Sequence, residues 1–227
     1  DQISDYLFTT ERDAADNLRA EGIPAGKIHF VGNVMIDTLM KNRAIARERS
    51  TVLTRLTLTP REYAACTLHR PSNVDTRADA ERTLAAVTQL ANRLTVVLPL
   101  HPRSAGKLQE FGLLDAFRAR ATVIEPLGYL DFLLLLDNAR LVLTDSGGIQ
   151  EETTVLGVPC LTFRENTERP ITVTHGTNRI VGLDPARVGE AVDDIMTVRG
   201  FTPRIPEFWD GHAAERIIEI LASRQAP

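Results

Sequence analysis

Short apolar runs alternate with amphipathic segments along most of the chain. Residues 62–68 (EYAACTL), 94–100 (LTVVLPL) and 140–145 (RLVLTD) are such runs, and each is followed by a segment with helical spacing. The central runs are continuously apolar rather than alternating, which indicates strands that are covered on both faces. The pattern therefore predicts an α/β fold with a doubly wound, parallel, Rossmann-like sheet.

The same pattern divides the chain into three parts. Residues 1–50 form a connecting region of strands and helices, residues 51–205 form the Rossmann-like domain, and residues 206–227 form a closing helix. Apolar residues lie at helical spacing in that last part, namely Ala214, Ile217, Ile218 and Leu221. In open sheets of this kind ligands bind beyond the carboxyl ends of the strands, so binding residues are expected in the loops that follow the strands.

One of these loops, residues 145–148 (DSGG), joins a predicted strand at 141–144 to a helical segment that stops at Gly157. Its two glycines allow backbone N–H groups to approach a ligand closely, and a helix N-terminus favours phosphate. Three interpretations are open: a phosphate cradle, a plain N-cap formed by Ser146, or a nucleophilic serine. The last is disfavoured because Thr144 stands where a G-x-S-x-G elbow needs its first glycine.

Glu151 and Glu152 follow on the first turns of the same helical segment. Adjacent helical residues point about 100° apart, so one is expected to face the ligand and the other solvent. A carboxylate slightly behind a phosphate site suits the hydroxyl groups of a ribose. The alternative is that both acids only complement the helix dipole.

Two further loops place a histidine and an arginine directly after a strand: His69 with Arg70, and His101 with Arg103. Histidine exchanges protons near neutral pH, and arginine binds phosphate through two parallel hydrogen bonds. A third charged loop, residues 164–170 (RENTERP), is expected beside the DSGG loop if consecutive strands pair. Together the loops predict a cationic cleft, although each alone is compatible with a solvated surface loop.

The composition excludes several classes of protein. The net charge is −4 and the 26 basic residues are scattered, so no nucleic-acid-binding surface is indicated. Cys66 and Cys160 lack the spacing of a disulfide framework or a zinc site, and their apolar surroundings predict inert core thiols. Neither a signal peptide nor a membrane-spanning segment is recognised, so we expect a cytoplasmic protein. We also expect a fragment of a longer protein, because the chain begins at Asp1 directly before an apparent strand.

Several motifs, in order along the chain, resemble those of the non-hydrolysing UDP-N-acetylglucosamine 2-epimerases. They are GNVMIDTL, TLHRPSNVD, LPLHPR, EPLGYLDFLLLLDNA, LTDSGGIQEETTVLGVPCLTFRENTERPITV and GTNRIVG, and the resemblance extends from Asp1 to about Asp184. This family has two Rossmann-like domains in the glycosyltransferase-B arrangement, with the UDP-sugar in the cleft between them. The chain is similar to the C-terminal half and the preceding connection, which would make residues 51–205 the nucleotide-sugar-binding domain.

The resemblance implies roles for individual residues. Ser146, Gly147 and Gly148 would hold the diphosphate, Glu152 the ribose, and Phe132 the uracil side. Arg169 would bind phosphate or nucleotide, and His69, the catalytic candidate, would lie near the leaving UDP or the sugar. The implied set of UDP-sugar-binding residues is Phe132, Ser146, Gly147, Gly148, Glu152, Arg169, Arg70 and His101.

The sequence departs from the family's pattern at three positions. Pro71 and Ser72 replace the third and fourth residues of the usual H-R-R-E-N loop, and Leu127 replaces a glutamine that helps to recognise the base in some members. The contacts of the usual Arg-Glu pair are therefore in doubt, and a backbone group would have to take over the role of the glutamine.

The reaction implied by the resemblance converts UDP-GlcNAc to UDP-ManNAc. A base removes the C2 proton as UDP leaves C1, and UDP adds back to the resulting glycal with the configuration at C2 inverted. No metal or nicotinamide cofactor is implied, and the sequence has no G-x-G-x-x-G. The proton-transfer carboxylates belong to the family's N-terminal domain, so we expect this chain alone to bind UDP or UDP-sugar weakly without turnover.

The expected partners are UDP-GlcNAc or UDP, the missing N-terminal domain and, in the full-length enzyme, a second copy in a homodimer; neither nucleic acid nor a membrane is expected. Two other functions stay open: a UDP-sugar-dependent glycosyltransferase of the same fold, and a nucleotide-sugar-binding module without catalysis. The TDSGG motif with the two glutamates that follow it, together with the TERP motif, favours the epimerase over the transferase.

Overall fold

The predicted alternation of strands and helices is present in the computed structural model, which describes residues 1–68, 70–197 and 204–223, with only the backbone at 71 and 72. The strands are β1 Leu7–Thr9, β2 Ile28–Phe30, β3 Tyr63–Thr67, β4 Thr95–Pro99, β5 Thr122–Ile124, β6 Leu141–Thr144, β7 Cys160–Thr162 and β8 Asn178–Ile180. The helices are α1 Arg12–Ala20, α2 Val34–Arg49, α3 Val52–Arg55, α4 Pro71–Val74, α5 Arg77–Ala91, α6 Pro102–Glu110, α7 Leu114–Arg118, α8 Tyr129–Asp137, α9 Gly147–Leu156, α10 Pro170–Thr174, α11 Pro185–Thr197 and α12 Ala213–Ser223.

The chain forms two compact units. The first comprises Asp1–Ala44 and Ile205–Pro227, and the second comprises Ile45–Arg204. The predicted domain boundaries after residues 50 and 205 stay a prediction.

Within the described ranges, no helix is long and apolar enough to cross a membrane.

The first unit holds the two-stranded parallel sheet of β1 and β2 together with α1, α12 and most of α2. Helix α12 is fixed at its start, because the carboxylate of Asp37 accepts hydrogen bonds from the backbone N–H groups of Ala213 (3.1 Å) and Ala214 (2.7 Å). Trp209, which is 1% exposed, donates its indole N–H to the carbonyl of Thr10 at 2.9 Å. Residues near the two ends of the chain therefore pack in one unit.

The second unit contains a six-stranded sheet in the order β5-β4-β3-β6-β7-β8, with every pair parallel. Within this unit the first three strands run outward from β3 through β4 to β5. The chain then returns to place β6 on the other side of β3, and β7 and β8 follow outward from β6. This reversal creates a crevice at the carboxyl ends of β3 and β6. The doubly wound parallel fold predicted from the sequence is confirmed.

Both faces of this sheet are covered. On one face, alternate strand residues such as Ala64, Leu98 and Leu143 form one core with residues of α5, α6, α7 and α11. The intervening Ala65 and Val142 are fully buried as well, so the other face is also covered, and α9 contacts β6, β7 and β8. This double burial explains the continuous apolar runs of the sequence.

Both cysteines are free and fully buried. Burial raises the pKa of the Cys66 thiol far above its ordinary range and that of Cys160 to about 12. A thiol that stays protonated is a poor nucleophile, so the prediction of inert core thiols is confirmed.

The first unit allows a test of close packing. Gly32 has a φ of +90°, and a Cβ there would collide with the carbonyl oxygen of Phe208. Gly22 has a similar φ of +84° with open space around it. We expect Gly22→Ala to cost about 1 kcal/mol, from the left-handed backbone alone, and Gly32→Ala to cost at least about 2 kcal/mol more, because Phe208 must move.

The measurement is urea unfolding followed by the fluorescence of Trp209, the single tryptophan, which lies in the same unit. Equal losses of stability in the two variants would contradict a tight contact between Gly32 and Phe208.

Candidate functional site

The candidate site lies at the carboxyl ends of β3 and β6, which are adjacent in the sheet. Thr67 and Thr144, the last residues of these strands, are paired in register, and their hydroxyl oxygens are 2.8 Å apart. The Thr144 hydroxyl also accepts the backbone N–H of Ser146 at 3.0 Å. The turn after β6 is thus tied to the strand ends at the point where ligands bind in open sheets of this type.

Residues 145–148 form the expected strand-to-helix turn. Ser146 occupies the N-cap position of α9 with extended backbone angles (φ −93°, ψ 128°), and Gly147 is the first helical residue. Ser146 therefore stands at the predicted N-cap position, but its side chain makes no capping hydrogen bond. A ten-residue helix whose first N–H groups receive no bond from this serine is suited to an anion.

Asp145 joins this turn to the loop after β3. Its side chain is fully buried, and one carboxylate oxygen accepts the backbone N–H of Arg70 and the side-chain N–H of Asn73, both at 2.8 Å. In return the Arg70 guanidinium donates to the Asp145 carbonyl at 3.1 Å. Neither Asp145 nor Asn73 was among the residues predicted from the sequence, although both stand inside the motifs DSGG and HRPSN.

The loop of residues 164–170 brings more charge to the same corner, because β7 pairs with β6 as expected. Arg164, only 9% exposed, donates two hydrogen bonds of 2.7 Å to Glu168, and Arg70 lies 3.4 Å from the same carboxylate. The two bonds from Arg164 are the main cause that lowers the pKa of Glu168 to about 2. A Cβ placed on Gly147 would lie 3.7 Å from Glu168, so this carboxylate stands at the start of α9.

Glu151 and Glu152 are both buried, at 3% and 8% exposure. The expectation that one of them faces solvent is therefore wrong: the helix is covered on both sides at this turn. Glu151 forms an ion pair with Arg169 at 2.7 Å, and more than half of the Arg169 side chain is buried. Arg169 is thereby held beside the first turn of α9.

For Glu152 no ion pair is found among residues 1–68, 70–197 and 204–223. No hydrogen bond to its carboxylate is found in the described part of the chain, and burial, followed by the charge of Glu151, raises its pKa to about 7. Burial, followed by the charge of Glu152 itself, raises the pKa of Tyr129, the first residue of α8. Phe132 lies one turn further along α8 and is half-buried. Glu152 is thus a carboxylate poised near neutral pH, on a helix that packs against the one carrying Phe132.

The remaining predicted residues lie outside this cluster or outside the described residues. His101 is exposed at the N-cap of α6, where its ring accepts the backbone N–H of Arg103 at 3.3 Å. Arg103 pairs with Asp75 at 3.2 Å. His69, the predicted catalytic residue, lies outside the described residues, as do the side chains of Pro71 and Ser72.

Leu127 is one of the three positions at which the sequence departs from the family's pattern. It is half-buried in the loop that precedes α8. In residues 1–68, 70–197 and 204–223, no group of three or more His, Cys, Asp or Glu residues could hold a metal ion.

Comparison with known proteins gives a consistent result. A family model described as UDP-N-acetylglucosamine 2-epimerase matches residues 1–222. A UDP-N-acetylglucosamine 2-epimerase of Methanococcus maripaludis is 36% identical over 100% of the chain, and one of Methanocaldococcus jannaschii is 39% identical over 97% of it. The crystal structure of the M. jannaschii UDP-GlcNAc 2-epimerase in complex with UDP-GlcNAc and UDP superposes with a TM-score of 0.86 and 37% identity, and covers 98% of the chain.

The chain spans less than two thirds of these proteins. It covers 63% of the M. maripaludis enzyme, 62% of the M. jannaschii enzyme, and 62% of the chain in the crystal structure.

The raised pKa of Glu152 predicts a stability that depends on pH. Below about pH 4.5 the carboxyl is protonated in both the folded and the unfolded chain; between pH 4.5 and about 7 it ionises first in the unfolded chain, so stability falls as the pH rises. Glu152→Gln does not ionise, so we expect this variant to exceed the original chain in stability by on the order of 2 kcal/mol at pH 8 and to match it at pH 4.5.

Urea unfolding at several pH values measures this difference. Glu165→Gln, which changes an exposed carboxylate of the neighbouring loop, is the control and should follow the original profile. A Glu152→Gln variant no more stable than the original chain at pH 8 would contradict the assignment of a destabilised carboxylate.

Proposed function

The chain belongs to the UDP-N-acetylglucosamine 2-epimerase family, and we propose that it forms the UDP-sugar-binding part of such an enzyme. The observation that carries the proposal is the N-terminus of α9, which opens at the crevice between β3 and β6 with Arg70, Arg164 and Arg169 around it. A helix N-terminus surrounded by guanidinium groups is suited to a diphosphate.

In this proposal the diphosphate of the ligand accepts hydrogen bonds from the side chain of Ser146 and from the backbone N–H groups of Gly147 and Gly148. Hydrogen bonds to the Thr144 hydroxyl and the Asp145 carboxylate hold the turn in place, so these N–H groups are oriented before a ligand arrives. Binding then requires little rearrangement, which favours affinity.

The ribose and the base extend along the helices that follow. Glu152 accepts hydrogen bonds from the ribose hydroxyls, and uracil lies beside Phe132 on α8. Support comes from the open hydrogen-bonding capacity of the Glu152 carboxylate and from the contact between α8 and α9. Since a carboxylate accepts these bonds better than a carboxylic acid does, ribose binding should draw Glu152 toward its ionised form.

For the whole enzyme we propose the interconversion of UDP-GlcNAc and UDP-ManNAc. A base takes the proton from C2, the electron pair forms the C1=C2 double bond, and the C1–O bond breaks with its electrons passing to the β-phosphate of UDP. UDP then adds back to C1 while C2 is protonated from the opposite face. The reaction is redox-neutral, so it calls for no nicotinamide. The arginines and the α9 N-terminus stabilise the charge that develops on the diphosphate.

The groups that remove and return the C2 proton are assigned to the part of the enzyme that this chain does not span, and His69 is assigned to the vicinity of the leaving UDP or the sugar. Both assignments rest on the resemblance. The homodimer and the cytoplasmic location predicted from the sequence likewise stay predictions.

The variant Gly147→Ala is expected to keep the fold but to weaken the binding of UDP. The new methyl group would be in ordinary contact with Glu168 and Arg169, at 3.7 and 3.8 Å, so the variant should fold. The same methyl group would stand where a phosphate approaches the helix N-terminus. We expect the chain to bind UDP in isothermal titration calorimetry and the variant to bind it at least about tenfold more weakly.

Gly106→Ala, within α6 and with open space around it, is the matched control and should leave the affinity for UDP unchanged. If the original chain shows no binding of UDP, the proposed function fails. If Gly147→Ala binds UDP as well as the original chain does, the diphosphate lies elsewhere.

The role of Glu152 can be tested by removing one hydroxyl from the ligand. We expect the original chain to bind UDP about tenfold more tightly than 2′-deoxy-UDP, because hydrogen bonds to a charged group contribute about 1.5–3 kcal/mol. In Glu152→Ala the preference for UDP should disappear. A preference that survives in this variant would assign the ribose to another residue.

A further inference from the structure

Glu168 is a carboxylate placed where the proposed function puts a diphosphate. It stands beside Gly147 at the first turn of α9 and forms two hydrogen bonds with Arg164 and a longer ion pair with Arg70. Its side chain is 53% exposed, so the charge lies at the mouth of the site rather than inside the loop.

The loop that carries Glu168 is also fixed by hydrogen bonds that do not involve Glu168. The Thr167 hydroxyl donates to the side chain of Gln150 at 2.5 Å and accepts the backbone N–H of Arg169 at 2.9 Å. The Thr172 hydroxyl donates to the Arg169 carbonyl at 2.7 Å. The Glu168 carboxylate is therefore not the loop's sole support, and what it adds is a negative charge held between Arg164 and Arg70.

Glu168 also completes the charge balance of this corner. Among the described residues, three guanidinium groups and three carboxylates meet here, namely Arg70, Arg164 and Arg169 with Asp145, Glu151 and Glu168. These six groups sum to zero formal charge, and the N-terminus of α9 adds partial positive charge for a bound diphosphate. Without Glu168 the remaining five groups would sum to one positive charge.

The two ligand states of the proposed reaction differ by one charge. The diphosphate of a UDP-sugar carries about two negative charges, and free UDP gains about one more on its terminal phosphate, which has a pKa near 6. A more cationic site would hold free UDP more tightly than UDP-sugar and would hinder the return of UDP to the glycal.

We propose that Glu168 is a positioning residue that sets the charge of the diphosphate site and thereby limits how tightly the site holds free UDP relative to UDP-sugar. The proposal rests on the proposed function and deepens it. Glu168 holds the two arginines in place and opposes the additional charge that appears when the C1–O bond breaks.

The test compares affinities for UDP and UDP-GlcNAc in the original chain, Glu168→Gln, Glu168→Asp and Glu165→Gln by isothermal titration calorimetry. We expect Glu168→Gln to raise the affinity for UDP about three- to tenfold more than that for UDP-GlcNAc, given that exposed charges are partly screened. Glu168→Asp, which keeps the charge, should restore the original ratio, and Glu165→Gln should not alter it.

The outcomes separate this inference from the proposed function. If the original chain binds neither ligand, the proposed function fails and the inference fails with it. If it binds both and Glu168→Gln changes both affinities equally, as a purely structural role would do, only the inference is overturned.

Should Glu168→Gln not fold, the original chain provides a second measurement with UDP methylated on its terminal phosphate. This ester has one charge fewer than UDP. We expect UDP to bind no more than about threefold more tightly than the ester, and a larger preference overturns the inference.

Discussion

The buried carboxylate of Asp145 is the interaction on which the site depends. It accepts hydrogen bonds from the loop after β3 while its own backbone belongs to the turn after β6. The sheet order makes these two loops neighbours, and the hydrogen bonds to the Asp145 carboxylate fix the distance between them. Because a buried carboxylate that loses its donors is costly, the two loops are held together strongly. The position of Arg70 relative to the N-terminus of α9 follows from this constraint.

The two acidic residues Glu168 and Glu152 lie at different depths in the site. Near the mouth, Glu168 is paired with arginines, and its ionised form is favoured. Deeper along α9, Glu152 is buried, no cation among the described residues pairs with it, and its ionised form is disfavoured. The first arrangement stabilises the unliganded site, whereas the second leaves a carboxylate that the hydroxyl groups of the proposed ligand would satisfy. This combination is typical of binding sites, in which part of the folding free energy is given up for recognition.

The fold could be predicted because continuously apolar strands and periodic helices are properties of local residue order. The DSGG turn could be predicted because two glycines directly after a strand indicate a turn. The sequence did not predict that Glu151 and Glu152 are both buried, since helical spacing gives directions around α9 but not what covers each face. It also did not predict Asp145 or Asn73 as site residues, because their hydrogen bonds join positions 70 or more residues apart. The partner of a buried polar side chain is a property of the folded chain, which local residue order does not specify.

Uncharged residues help to set the position of the loop of residues 164–170. Asn178 donates hydrogen bonds to Gln150 at 3.1 Å and to Thr172 at 3.0 Å, and Thr162 donates to Asn178 at 2.6 Å. This buried network ties β7, β8, α9 and α10 together behind the loop of residues 164–170. Because the loop is already ordered, a ligand does not have to supply the free energy of ordering it. Differences in affinity between related nucleotides then reflect charge and hydrogen bonding at the mouth of the site, and this is the condition under which one carboxylate such as Glu168 can govern selectivity.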